Sequence, residues 1–85
     1  MSKFDKAIQR ILLRPKDYTY TEAKYLLSQI GFEEYHKGKT SSSRVKFYRK
    51  QDGKVILLHK PHPGDVMKQG AVKQLVEYLI KIGEL

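Results

Sequence analysis

The sequence contains no cysteine and no tryptophan, and only three prolines. Without cysteine, disulfide bonds and thiolate-ligated metal sites are excluded, which is typical of proteins from a reducing compartment. The sequence also lacks an apolar run close to the roughly 20 residues that a membrane-spanning helix needs. Its first residues lack the apolar core of a secretion signal. We therefore expect a cytoplasmic protein that does not bind a membrane.

Acidic residues are also scarce. Nine Asp and Glu stand against seventeen Lys and Arg, which gives a formal net charge of +8 at pH 7. Such an excess attracts polyanions, nucleic acids among them, although small domains also carry charge for solubility alone. A chain of 85 residues is long enough for one domain, so we expect residues 1–85 to form a single domain.

The first apolar stripe at helical spacing predicts a helix over residues 2–13. Arg14 and Pro15 should end it, because proline disfavours a helical conformation in the residue before it. We interpret residues 1–14 as an added N-terminal helix and residues 19–85 as the core of the domain.

Two further helices are predicted in the core. Thr19 and Glu22 have the spacing of a capping box, which marks the start of a helix. Gly31 follows the last apolar position of that helix and is expected to adopt positive φ. The last helix is predicted over about residues 68–82, ending at Gly83.

Three strands are predicted between these two helices, at residues 32–36, 44–49 and 54–59. Asp52-Gly53 lies between the second and third strands and is a strong hairpin signal. Consecutive strands with short connections form an antiparallel meander, and helices must cover one of its faces. The fold class is therefore a two-layer α+β fold with the α-β-β-β-α order of double-stranded-RNA-binding domains.

Basic residues are concentrated on the predicted hairpin and the loop before it. Strand alternation places Arg44, Lys46 and Tyr48 on one face of the sheet. Val45 and Phe47 then point to the core. Cations next to a Gly- and Ser-rich loop offer phosphates both charge and backbone donors. The alternative is a charged edge hairpin that prevents strands of different molecules from pairing. The cluster consists of Lys37, Lys39, Arg44, Lys46, Arg49, Lys50 and Lys54.

Histidines follow the third strand, in the segment His59-Lys60-Pro61-His62-Pro63-Gly64. Histidine acts as a general acid or base near neutral pH, and RNA cleavage requires proton transfer from the 2′-hydroxyl and to the leaving oxygen. The alternative is a rigid connector with incidental histidines. We expect no metal site, because Asp65 is the only further ligand nearby and structural zinc sites usually have four. The start of the last helix, at Lys68, is a candidate phosphate clamp or an ordinary helix start.

Taken in order, these motifs resemble the HicA toxins of bacterial toxin–antitoxin systems, over about residues 19–85. The resemblance implies a metal-independent endoribonuclease without cofactor that cleaves mRNA to block translation. It also implies neutralisation by a HicB-type antitoxin and a monomer when free. The similar motifs are LLSQIGF at 26–32, SSRVKF at 42–47, DG at 52–53, PHPG at 61–64 and KQG at 68–70.

The chain departs from the family pattern at Arg44, which is similar in position to the family's catalytic histidine. Arginine does not act as a general base at ordinary pH, but it binds phosphate well. The catalytic candidates are therefore His62 and His59 for proton transfer and Arg44 for phosphate binding. The alternatives are an RNA-binding module without catalysis, and a protein-interaction domain. The candidate RNA-binding residues are Lys37, Lys39, Ser43, Arg44, Lys46, Lys60 and Lys68.

Overall fold

The computed structural model describes residues 2–35, 44–61 and 63–85. In these residues the strands form one antiparallel sheet in the order β1-β2-β3. The protein has an α+β fold, and the predicted α-β-β-β-α order is confirmed after an additional first helix. The helices are α1 (Lys3–Leu12), α2 (Tyr20–Gln29) and α3 (Gln69–Lys81), and the strands are β1 (Phe32–Tyr35), β2 (Arg44–Arg49) and β3 (Lys54–His59).

The start of α2 is the predicted capping box. The backbone N–H of Glu22 donates to Thr19 Oγ1 over 3.1 Å, and the Thr19 N–H donates to Glu22 Oε2 over 3.2 Å. The helix ends at Gln29, and Gly31 follows its C-cap with a φ of 98°, in the region that favours glycine. Both ends of α2 are thus determined by local sequence, as predicted.

The end of α1 also agrees with the sequence. Arg14 has a φ of 49°, so the chain leaves the right-handed helical region at the residue before Pro15, where proline disfavours it. The added helix packs on α2 and α3, and Ile11 is fully buried in the common core. Burial of one such side chain contributes about 1.5–3 kcal/mol, so α1 is an integral part of the core.

The helices cover one face of the sheet. β2 alternates strictly between exposed and buried residues. Val45 and Phe47 point to the helices, while Arg44, Lys46 and Tyr48 point away, as predicted. We call these the inner and outer faces. The core consists of sheet residues Phe32, Val45, Phe47, Ile56 and Leu58, and helix and loop residues Ile11, Tyr18, Tyr20, Ala23, Leu26, Leu27, Met67, Val72, Leu75, Val76 and Leu79.

The bounds of β2 and β3 match the prediction, and α1 and α3 are each shorter by one residue at both ends. The first strand ends at Tyr35, and His36, its predicted last residue, lies outside the described residues. Among the described helices, none is long and apolar enough to cross a membrane.

Candidate functional site

Arg44 and His59 lie directly opposite each other on β2 and β3. Both are exposed on the outer face, because the adjacent pair, Val45 and Leu58, points into the core. Directly opposite residues of an antiparallel pair have Cβ atoms about 4.5–5.5 Å apart. The sheet register therefore brings together a guanidinium and an imidazole that are separated by a hairpin in the sequence.

Lys46 lies one position further along the same face. Its Nζ is 5.6 Å from the centroid of the Tyr35 ring, and the two residues are cross-strand partners in β1 and β2. An ammonium above an aromatic face is attracted by the ring quadrupole. Sequence reasoning missed Tyr35 as a candidate residue, although the alternation of Glu33 and Tyr35 in β1 indicated an outward position.

The paired residues lie at the end of the sheet where α2 and α3 begin. Tyr20, the first residue of α2, donates from its hydroxyl to Glu34 near the end of β1 over 2.9 Å. Burial, with the Glu34 carboxylate next, raises the pKa of the Tyr20 phenol above its usual value. The start of α3 lies beside the start of α2, because Val66, shortly before α3, pairs with Thr19 as an isolated bridge.

The two helix starts differ in their caps. At α2, the Asp65 carboxylate accepts from the Thr21 N–H over 3.2 Å, in addition to the capping box. At α3, the N-cap residue is Lys68, whose side chain makes no capping hydrogen bond, and the first turn contains no acid. Helix N-termini carry partial positive charge. The Asp65 carboxylate offsets this charge at the start of α2, whereas Lys68 increases the positive charge at the start of α3.

Asp65 has a structural role that the sequence did not reveal. Its backbone carbonyl accepts from the Tyr20 N–H over 2.7 Å, and the Met67 N–H donates to the Tyr18 carbonyl over 2.8 Å. These bonds fix the segment after β3 against the start of α2. Asp65 is thus occupied by backbone donors, and no cluster of three or more metal-ligating side chains occurs in the described part of the chain.

Arg49, one of the basic residues of the predicted hairpin, does not lie on the surface. The sequence groups it with the surface cations, but it is 5% exposed on the inner face. Its guanidinium donates to both Asp52 oxygens, to Glu84 Oε1 over 2.7 Å and to the Ile30 carbonyl over 3.0 Å. The hydrogen bond to Asp52, followed by that to Glu84, raises the pKa of Arg49. Arg49 is a structural residue and is not available to phosphate.

The remaining candidates divide between the described residues and those outside them. Lys60 is exposed directly after His59, and Lys68 is exposed at the start of α3. Lys37, Lys39, Ser43 and His62 lie outside the described residues. The structure therefore brings Arg44, His59 and Lys46 together on one face, with Lys60 next in the chain.

Comparison with protein families identifies the chain. The family model described as the HicA toxin of bacterial toxin–antitoxin systems matches residues 20–83, which include α2, the whole sheet and α3. Comparisons with curated proteins and with solved structures give no significant match. The match begins after α1. This chain is therefore a member of the HicA family of toxins.

Proposed function

We propose that this protein is an endoribonuclease that cleaves mRNA and is neutralised by a HicB-type antitoxin. Membership of the HicA family supports the role of a toxin with an antitoxin partner. The observation that carries the RNA chemistry is the cross-strand pair of Arg44 and His59 on the outer face. This pair combines a phosphate-binding group with a group that transfers protons near neutral pH.

The proposed chemistry uses the 2′-hydroxyl of the RNA. An imidazole accepts the 2′-hydroxyl proton, the 2′-oxygen attacks phosphorus, and the bond from phosphorus to the 5′-oxygen breaks. A second group acts as an acid and gives a proton to the 5′-oxygen, so the products are a 2′,3′-cyclic phosphate and a 5′-hydroxyl. His59 and His62 are the candidates for the two proton transfers. Arg44 stabilises the charge that develops on the non-bridging oxygens.

The basic residues at this end of the molecule bind the flanking phosphates in this proposal. Lys46 and Lys60 adjoin the Arg44–His59 pair, and Lys68 adds its charge at the uncapped start of α3. Lys37, Lys39 and Ser43, which precede β2 in the sequence, are further proposed contacts. Because such contacts release counterions from RNA, affinity should decrease steeply with salt.

A second candidate function is RNA binding without cleavage. The specific observation in its favour is Arg44, which stands where the resemblance places the family's catalytic histidine. A guanidinium does not take up the 2′-hydroxyl proton at ordinary pH, so catalysis in this chain requires a histidine from elsewhere. His59 is the described residue that meets this requirement by position.

The test is growth arrest on induced expression, combined with cleavage of labelled RNA by the purified protein. Arg44→Ala, His59→Ala and His62→Ala should each abolish arrest and reduce cleavage by about two orders of magnitude or more. Lys50→Ala is the matched control, because it removes one exposed positive charge at the other end of the hairpin. That variant should keep both activities.

Cleavage that is unchanged in all three variants would remove these residues from the mechanism. RNA binding without cleavage or arrest in the unmodified protein would establish the second candidate. The antitoxin part of the proposal is tested separately, by co-expression of a HicB-type protein. Relief of arrest together with a stable complex of the two proteins is the expected result.

A further inference from the structure

The outer face exposes apolar and aromatic side chains between its charged ones. Tyr35 is 48% exposed, Tyr48 40%, Val55 36% and Leu57 59%. These four residues lie on three adjacent strands, so they form a continuous patch and not scattered positions. Contiguous exposed apolar surface on a small protein is commonly an interaction site.

The sheet register orders this patch. One row across the strands consists of Tyr35, Lys46 and Leu57, and the Arg44–His59 pair forms the adjacent row. Tyr48 is diagonal to Tyr35, a relation that separates such residues by about 7–8 Å. The outer face thus presents two phenol rings on neighbouring strands beside a row of cations.

Charge on this face is unevenly distributed. Arg44, Lys46 and His59 lie toward one end, whereas Glu33 lies opposite Tyr48 toward the other. A phosphate backbone that crosses the face is attracted along the cationic rows and repelled at Glu33. Tyr35 lies in the same row as Lys46, and Tyr48 lies in the next row, opposite Glu33.

We propose that the outer face binds unpaired RNA, with adjacent bases stacked on Tyr35 and Tyr48 and the backbone along Lys46 and the Arg44–His59 pair. This inference rests on the proposed function and names its substrate class as single-stranded RNA. Duplex RNA keeps its bases stacked on each other and offers phosphates and 2′-hydroxyls instead. Exposed aromatic rings on an open sheet add affinity only where bases are splayed out.

Two properties of the face favour RNA over a protein occupant. The cations beside the rings match a polyanion, and the Lys46 ammonium over the Tyr35 ring combines charge and stacking at one position. A protein partner that covers the same patch is the competing outcome, and measurements of RNA and antitoxin binding separate the two.

The experiment is fluorescence anisotropy with the full chain and a labelled RNA 12-mer, single-stranded or annealed to its complement. Arg44→Lys combined with His59→Asn is introduced throughout to suppress cleavage while keeping the positive charge at residue 44. Single-stranded RNA should bind at least about tenfold more tightly than the duplex. Tyr35→Ala and Tyr48→Ala should each weaken single-strand binding by roughly 5- to 150-fold and duplex binding by less than about twofold.

Tyr35→Phe and Tyr48→Phe are the matched variants, because they keep the ring and remove only the hydroxyl; each should bind within about threefold of the parent. Tyr25→Ala, on α2 in the helical layer, controls for the loss of a tyrosine elsewhere. Circular dichroism verifies that each variant is folded.

Each contrary outcome points to a different failure. Equal affinity for single strand and duplex, or unchanged single-strand affinity in both alanine variants, overturns the inference while RNA binding itself stands. Binding of neither RNA, by this variant and by the unmodified protein alike, overturns the proposed function as well. Loss of antitoxin binding in the alanine variants, with single-strand affinity unchanged, assigns the face to a protein partner and also overturns the inference.

Discussion

The two faces of the sheet are formed by the same three strands, and each carries one arginine of β2. The surroundings of these two arginines differ. On the inner face, Arg49 is enclosed by Asp52, Glu84 and the Ile30 carbonyl. On the outer face, Arg44 is exposed beside His59. Both belong to β2, and their odd spacing places them on opposite sides.

The difference shows that a count of cations overestimates a nucleic-acid surface. A buried guanidinium whose donors are used by carboxylates and a carbonyl contributes to the fold, because those partners offset the cost of its desolvation. An exposed guanidinium next to an imidazole is accessible to a ligand from solvent. The two faces therefore predict opposite responses to substitution, in stability on one side and in RNA binding on the other.

The largest expected effect is on the inner face, at Phe47, which is 1% exposed. Phe47→Ala should lower the free energy of unfolding by about 3–5 kcal/mol, because it leaves a cavity in the core. Tyr48→Ala, the next residue on the outer face, should cost less than about 1 kcal/mol. Urea unfolding followed by circular dichroism measures both, and similar losses for the two variants would contradict the assignment of faces.

The two arginines provide the next comparison. Arg49→Met should lower the free energy of unfolding by about 2 kcal/mol, because it removes the guanidinium that donates to the Ile30 carbonyl and to two carboxylates. Arg44→Met, an equivalent change on the outer face, should alter stability by less than about 0.5 kcal/mol. The same urea titration decides, and greater destabilisation by Arg44→Met would reverse the structural and functional roles of the two arginines.

The next prediction concerns how RNA binding by the outer face depends on salt concentration. Replacing Arg44 and Lys46 with alanine should reduce the slope of log affinity for single-stranded RNA against log salt by about 1.4, because two phosphate contacts are lost. Replacing Lys50 and Lys81, which are exposed toward the other end of the sheet, removes the same charge. If that control reduces the slope equally, net charge and not the outer face determines binding.

The smallest expected effect is a pH dependence of stability on the inner face. The hydrogen bond from Arg49 lowers the pKa of Asp52, so the unfolded chain binds this proton at a higher pH than the folded chain. The contribution to stability is present above the ordinary aspartate pKa of about 3.9 and is lost as pH falls through the lowered pKa. Urea midpoints at pH 5.5 and pH 3 should therefore differ less in Arg49→Met and in Asp52→Asn than in the unmodified protein. If the midpoints at the two pH values differ as much in these variants as in the unmodified protein, Asp52 does not contribute to the loss of stability in acid.

Much of the fold was predictable, because its signals lie within a few residues of each other. The capping box of Thr19 and Glu22 and the hairpin at Gly53 are local, and the strands they delimit follow from alternation. The outward positions of Arg44 and Lys46 followed from the same alternation. The catalytic roles of Arg44, His59 and His62 stay predictions. RNA binding also stays a prediction for all its candidate residues, which are Lys37, Lys39, Ser43, Arg44, Lys46, Lys60 and Lys68.

Other features depend on partners that no local pattern indicates. Strand alternation places Arg49 on the inner face and Asp52 lies three residues away, but Arg49 also bonds to Ile30 and Glu84, which are 19 and 35 residues away. No local pattern indicates these two partners. Asp65 supports the start of α2 from 44 residues further along the chain. Tyr35 belongs to a candidate binding surface because the sheet register brings Lys46 and Tyr48 beside it, and the register is not local to Tyr35 in the sequence.

The sequence by itself determined the helix ends, the hairpin, the alternation of faces and the membership of the HicA family, because capping, turn formation and strand periodicity act over short stretches of chain. Only the tertiary structure decided that Ile30 and Glu84 bind the buried Arg49, that Asp65 holds the start of α2, and that Arg44 meets His59 beside two exposed tyrosines. These depend on sheet register and on packing between distant segments, where the free energy of a contact is set by the surroundings of both partners.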